Sequence, residues 1–224
     1  MKKNIFIAAV FVVGFLGLSI SRSYGQSMPF HNDIAAFKKK DSVQPPPQHA
    51  ILFTGSSSFT KWTDLADYFP GYTVINRGFG GSSIPDVIRY ADDIIFPYQP
   101  KQIVIYCGDN DLASSDTVTA QVVYRRFLTL YRAIRANLQQ VDVLYVSIKP
   151  SPSRANLMPQ MEAANRLISD FLHGQAHAAF ADVYHLMLNP QGQPIAELFR
   201  EDQLHMNPKG YAIWKKILLP YLDK

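Results

Sequence analysis

Gly55-Ser56-Ser57-Ser58 follows directly on the apolar and β-branched run Ile51-Leu52-Phe53-Thr54. A run of that length closed by a glycine reads as a buried strand, and Phe59 to Phe69 takes the wider spacing of a helix. A serine at such a turn is lifted clear of the sheet. The helix that follows aims its N–H groups and positive end at any anion formed there. A hydroxyl is a weak nucleophile and needs a base to take its proton. His205 suits that task, because imidazole titrates near neutrality and this one lies on a polar segment just before the last helical stretch. Asp202, three residues earlier, can bond the other ring nitrogen, fix the tautomer and stabilise the imidazolium. Acyl transfer also needs donors for a tetrahedral oxyanion. The Gly80-Gly81 pair lets backbone N–H groups approach closely, and the Asn110 amide adds a side-chain donor.

Taken alone, Gly-Ser-Ser-Ser is also an ordinary polar turn, with Ser56 and Ser58 as rivals to Ser57. The elements between the candidate residues weigh against an ordinary turn but leave Ser56 and Ser58 open. Apolar runs at Ala50–Thr54, Thr73–Asn76, Gln102–Cys107, Val141–Ser147 and Ala179–Val183 read as strands. Helical spacing is expected over Phe59–Phe69, Pro85–Ile95, Thr117–Leu138 and Arg154–Gly174. A last helix is capped by Asn207-Pro208 and is expected to bury Tyr211, Trp214, Leu218 and Tyr221. Such alternation implies parallel strands, right-handed crossovers and helices on both faces. The functional segments of such a sheet lie beyond the carboxyl ends of its strands. The Gly-rich or polar segments after the first four strands, and Asp202-Gln203-Leu204-His205, are expected to gather there.

The four blocks Gly55-Ser56-Ser57-Ser58, Asn76 to Gly81, Gly108-Asp109-Asn110-Asp111 and Asp202-Gln203-Leu204-His205 resemble those of the SGNH (GDSL-type) hydrolases. These are esterases and lipases. The resemblance runs from Ala50 to the C-terminus and implies a three-layer α/β/α, flavodoxin-like fold with a parallel sheet of about five strands. It implies Ser57 as nucleophile, Asp202 and His205 as the rest of the triad, and Ser57, Gly81 and Asn110 as oxyanion donors. Two departures stand out. Ser56 and Ser58 replace the family's usual Asp and Leu, a form that a subset of the family shares, and Asp109 occupies a position usually small or hydroxylic. With Asp111 it makes an acidic loop, set either to disfavour anionic substrates or to bond neighbours such as Arg77. Lys149 and Arg154, after the fourth strand, read either as a solvated basic loop or as a hold on a polar substrate group, for which Arg154 is the candidate. The other histidines (His31, His49, His173, His177 and His185) read as surface or packing residues, without a carboxylate at a useful offset inside a Gly-rich loop.

At 224 residues, with 47% hydrophobic and 18% charged residues, the chain has the composition of a globular protein with one sizeable core. Its net charge of +4 is scattered, and Lys38-Lys39-Lys40 is too short for a nucleic-acid arm, so no nucleic-acid partner is expected. Asp92, Asp93, Asp109 and Asp111 lack the spacing of a metal loop, and the proposed chemistry needs neither metal nor cofactor. Lys2 and Lys3 precede an apolar run from Ile5 to Ile20, and Ser23-Tyr24-Gly25 supplies small residues for cleavage. Residues 1–25 are therefore expected to be a signal peptide, 26–49 a short helix and Pro-rich linker, and 50–224 the hydrolase domain. The mature chain would be secreted or periplasmic, without a stable membrane anchor. Cys107 is the only cysteine, so no internal disulfide can form. Short loops and no apolar lid favour short acyl esters, such as acetyl groups on carbohydrates, as a small-molecule or glycan substrate. The alternatives are a lysophospholipase or platelet-activating-factor-acetylhydrolase-like lipid esterase, and an exported binding protein without chemistry.

Overall fold

The computed structural model describes residues 28–224. The expected signal peptide lies outside the described residues. All five expected strands form: β1 (Ile51–Gly55), β2 (Val74–Gly78), β3 (Gln102–Tyr106), β4 (Asp142–Val146) and β5 (Ala178–Ala181). They make one sheet of order β2-β1-β3-β4-β5, every neighbouring pair parallel. The central strands read as unbroken apolar runs because both of their faces are covered. Leu52, Ile103, Ile105, Val143 and Tyr145 point into one core. Ile51, Phe53, Val104, Tyr106, Leu144 and Val146 point into the other, as the two-residue period of a strand requires.

The first core is roofed by α4 (Ile84–Arg89), α5 (Ala91–Ile94), α7 (Ala120–Asn137) and α8 (Met158–His173). α7 buries Val123, Phe127, Leu130 and Ile134, and α8 buries Met161, Ala164 and Ile168 along single stripes. The second core lies under α2 (Ser57–Thr60), α3 (Leu65–Tyr68) and α9 (Pro208–Leu218); α9 buries Tyr211, Trp214 and Leu218, but Tyr221 falls past its end in a 3-10 turn and is exposed. Here Trp62 stacks on Tyr211 at 4.7 Å between centroids and meets Trp214 edge-on at 6.2 Å. The layers are those of an α/β/α sandwich. The sheet reverses its winding between β1 and β3, the place where such sheets open a crevice at their carboxyl edge.

Three expected helices are built differently. Phe59–Phe69 divides into α2 and α3, separated by Lys61-Trp62-Thr63-Asp64, so no long helix points its dipole at Ser57. Pro85–Ile95 divides at Tyr90 into α4 and α5. The region from Arg154 begins as a 3-10 turn, Pro152–Leu157, and only then becomes α8, because Arg154 has non-helical backbone angles. The first helix, α1 (His31–Val43), buries only Ile34 fully and is held by polar contacts. Asp41 pairs with Arg77 and accepts the Tyr98 hydroxyl at 2.5 Å, while Lys38 pairs with Asp93 at 2.7 Å.

The end of β1 is tightly constrained. Gly55 has φ of 133°, and a Cβ there would run into the Tyr106 carbonyl oxygen. That carbonyl accepts the Ser56 N–H at 2.9 Å. Gly55→Ala combines left-handed strain with a backbone clash. It should lower the unfolding free energy by about 2–5 kcal/mol in urea denaturation.

Candidate active site

β1 delivers Ser57 to the switch point between β1 and β3. The three consecutive hydroxyls differ sharply in access: Ser56 is 0% and Ser58 2% exposed, whereas Ser57 is half-buried. Only Ser57 can meet a substrate. Its turn is held from below by the Tyr211 hydroxyl on the Ser58 carbonyl at 2.9 Å and by the Asn76 amide on the Phe59 carbonyl at 2.7 Å.

His205 sits on a loop pinched by an antiparallel bridge between Phe199 and Met206. Asn207 locks the loop to α9: its side chain accepts from Lys209 and Gly210 N–H and donates to the Glu197 and Phe199 carbonyls. Asp202 Oδ1 accepts the Leu204 and His205 N–H groups at 3.0 and 2.9 Å, and Asp202 Oδ2 lies 2.6 Å from His205 Nδ1. His205 Nε2 lies 3.0 Å from Ser57 Oγ. With the proton on Nδ1 donated to Asp202, Nε2 is the acceptor that faces the serine hydroxyl. Desolvation of Asp202 pushes upward but is outweighed by the sum of the ring and backbone hydrogen bonds from His205 and Leu204, which hold its carboxyl well below the usual carboxylate range.

The loop after β2 supplies the facing wall. The Phe79 N–H and the Ser82 hydroxyl both donate to the Gly55 carbonyl, at 2.9 and 3.1 Å. This brings Gly80 and Gly81 to the surface beside Ser57. Gly81 has φ of 86°, which a side chain would strain. The N–H groups of Ser57 and Gly81 donate to no partner among the described residues, so both remain available to an incoming oxygen. Asn110, on α6 (Asp109–Ala113), donates its amide to the Ser82 carbonyl at 3.0 Å. The structure thus brings together Ser57, His205, Asp202, Gly81 and Asn110.

The acidic loop is engaged internally. Asp111 is 0% exposed, and its carboxylate accepts the Ile84 N–H at 2.9 Å and Arg126 at 2.7 Å. Burial pushes its carboxyl up, against the pull of those donors. Asp109 faces Arg154 at 3.1 Å and Lys149 at 3.7 Å. Arg77 is on neither, being taken by Asp41 and Tyr98. Lys149 is only 1% exposed, beneath the Tyr106 and Phe199 rings, so it is no solvated loop residue. Burial pulls its ammonium pKa down despite Asp109. Arg154 is likewise turned inward, onto Asp109 and the Asn110 amide oxygen, and not outward to a substrate.

Two features lie outside the expected site residues, although Phe30 shares helical spacing with Ile34 and Phe37, and Asp182-x-x-His185 shares the offset of Asp202-x-x-His205. Phe30 has a left-handed backbone with φ of 65°, packs edge-on to Phe79 at 5.2 Å, and reaches 3.8 Å from the place a Gly81 Cβ would take. His185, read above as a surface or packing residue, is bonded to Asp182 at 2.6 Å in the same kind of three-residue turn as His205, and His177 lies 3.1 Å from Asp142. His185 borders a groove of about 510 Å³ between α8 and β5 that Ser57 does not line. Among the described residues, no group of three His, Cys, Asp or Glu side chains is placed to hold a metal, and no helix is long and apolar enough to cross a membrane.

Two tests follow from this geometry. Because the folded-state pKa of Asp202 lies below its unfolded value, the pair stabilises the loop at every pH above the ordinary carboxylate value of about 4 and loses that contribution only below it. Carboxyl carbon NMR should therefore show Asp202 still ionised as pH falls from about 7 to 4. Asp111→Ala leaves the Ile84 N–H and Arg126 without their acceptor, and should cost about 2–4 kcal/mol in denaturant unfolding.

A comparison with curated proteins finds no match. Solved structures align closely in backbone. A GDSL-like lipase from Bacteroides thetaiotaomicron superposes with a TM-score of 0.71 at 18% identity, over 84% of this chain and 96% of that one. A protein from Streptococcus pneumonia, provisionally described as a platelet activating factor, gives 0.74 at 18% over 86% and 92%. A variant of an acetyl xylan esterase from Geobacillus stearothermophilus gives 0.62 at 12% over 78% and 95%. Identities at this level carry the fold alone. The family model for the GDSL-like lipase/acylhydrolase family, however, matches residues 16–213. On that match, with a five-stranded parallel α/β/α sheet beneath it, the chain belongs to the GDSL-like lipase/acylhydrolase family and is a serine hydrolase of ester bonds.

Proposed function

We propose that this chain is an exported esterase that removes short acyl groups, acetyl groups on saccharides foremost, through Ser57, His205 and Asp202. The observation that carries the reading is the unbroken series from Asp202 Oδ2 to His205 Nδ1 at 2.6 Å and from His205 Nε2 to Ser57 Oγ at 3.0 Å. His205 takes the Ser57 proton as Oγ attacks the ester carbonyl. The tetrahedral oxyanion is met by the Ser57 and Gly81 N–H groups and the Asn110 amide. On collapse His205 returns the proton to the departing alcohol. Water, deprotonated by the same imidazole, then releases the acid from the acyl-enzyme.

The choice of short acyl groups is supported by the setting of Ser57. Gly80 and Gly81 are exposed, Phe30 stands beside Gly81, and the groove at His185 lies away from the serine. Export is supported by the Lys2-Lys3 start, the apolar run and the small residues ending at Gly25. N-terminal sequencing of the protein recovered outside the cytoplasm should begin close to residue 26.

Hydrolysis of p-nitrophenyl esters from acetate to palmitate is the direct test. Turnover should be fastest for acetate and fall with chain length. Ser57→Ala should lose at least about 10⁴-fold in kcat/KM while keeping its thermal unfolding temperature, and Asp202→Asn about 10³–10⁴-fold in kcat. A preference for long chains would transfer the assignment to lipid esters. Absence of both turnover and fluorophosphonate labelling at Ser57 would leave a binding protein.

A further inference from the structure

The Asn110 amide stands between two groups with opposite requirements. The Ser82 carbonyl, 3.0 Å from Nδ2, can only accept. The Arg154 guanidinium, whose NH2 group lies 3.0 Å from Oδ1, can only donate. Turning the amide over would set its NH₂ against the guanidinium and its oxygen against the carbonyl, so both contacts break together. Arg154 is itself fixed: its other terminal nitrogen lies 3.1 Å from Asp109 Oδ2, which Lys149 approaches at 3.7 Å from the buried side. The 3-10 turn carrying Arg154 is tied to the histidine loop as well, since both the Ser153 N–H and hydroxyl donate to the Gln203 carbonyl, at 3.1 and 2.9 Å.

We infer that Arg154 is a positioning residue of the oxyanion site: anchored by Asp109, it grips Asn110 Oδ1 and so holds the amide with its N–H side toward the carbonyl oxygen of the substrate. This rests on the serine esterase reading above. The guanidinium has a second effect through the same bond. Drawing electron density toward Oδ1 leaves the amide N–H groups more positive, and so better donors to an oxyanion. Arg154 has 18% of its side chain exposed; one end of its fork donates to Asn110 Oδ1, and the other is ion-paired with Asp109 without a hydrogen bond of its own. It works behind Asn110 and does not hold the substrate.

The roles separate in a mutant cycle on p-nitrophenyl acetate. Loss of one oxyanion donor costs about 10²–10³-fold in kcat, and a donor left in place but unaligned should cost part of that. Arg154→Ala is expected to lower kcat about 10–100-fold with KM within about 3-fold of wild type. In an Asn110→Ala background, adding Arg154→Ala should change kcat less than about 3-fold, because the group it positions is gone. Arg154→Lys keeps a charge for Asp109 but lacks the planar fork that reaches both partners. It should unfold at the wild-type temperature and yet be as slow as Arg154→Ala, and it carries the test if the alanine variant does not fold.

Additive losses in the double variant, a raised KM at wild-type kcat, or full activity in Arg154→Lys would each overturn the inference. These results presuppose a wild type that turns over ester and is labelled at Ser57. A wild type that does neither removes the esterase reading and this inference with it, an outcome distinct from additivity in an active enzyme.

Discussion

The site depends on the contact between the end of β1 and the end of β3. The Tyr106 carbonyl sits where a side chain on Gly55 would stand, and it receives the Ser56 N–H. With no Cβ between them, the two strand ends close at the point where the sheet reverses its winding. The Gly55 carbonyl, turned the other way, takes the Phe79 N–H and the Ser82 hydroxyl. One glycine thus sets the separation of the nucleophile turn from both oxyanion-side loops. A catalytic constellation works only when its parts are held to fractions of an ångström. Here that tolerance is delivered by backbone, the least deformable material available.

Around this frame the polar groups form interlocked pairs. Asp111 joins the start of α4 to α6 and α7 by accepting from Ile84 and Arg126. Asp109 draws Arg154 and Lys149 toward α6. These carboxylates are buried, so each would be costly without its partners. Their presence fixes the loops after β2, β3 and β4 relative to one another. The fold places the least mobile charges directly behind the most demanding donors. The histidine loop is tied in separately, by Asn207 at the head of α9 and by Ser153 from the loop after β4.

The Asp-x-x-His turn occurs twice. Asp182 and His185 repeat the geometry of Asp202 and His205, including the two backbone N–H groups on one carboxylate oxygen. What differs is the surroundings. His205 Nε2 faces Ser57 across the switch point, while His185 borders the groove between α8 and β5. The pair is a local structure that short-range spacing can build anywhere. A neighbouring hydroxyl makes it chemistry, and only topology supplies that neighbour.

The sequence by itself determined the layers and the strand ends. Unbroken apolar runs at Ile51–Phe53 and Ile103–Tyr106, closed by glycine or polar residues, read as strands covered on both faces, and apolar stripes at helical spacing on α7 and α8 read as their cover. Asn110, Asp202 and His205 were legible as residue types on segments that follow a strand or precede a capped helix, whereas Ser57 and Gly81 were singled out within their blocks by the family resemblance. Tertiary structure decided the rest. It chose Ser57 over its neighbours by burying Ser56 and Ser58. It turned Arg154 and Lys149 inward, broke the helix after Ser57 into two short turns, and brought Phe30 from outside the sheet to Gly81. The physical reason is range. Periodicity and capping act over a few residues, whereas burial, ion pairing and the approach of Phe30 to Gly81 depend on partners tens of residues away that meet only when the sheet closes.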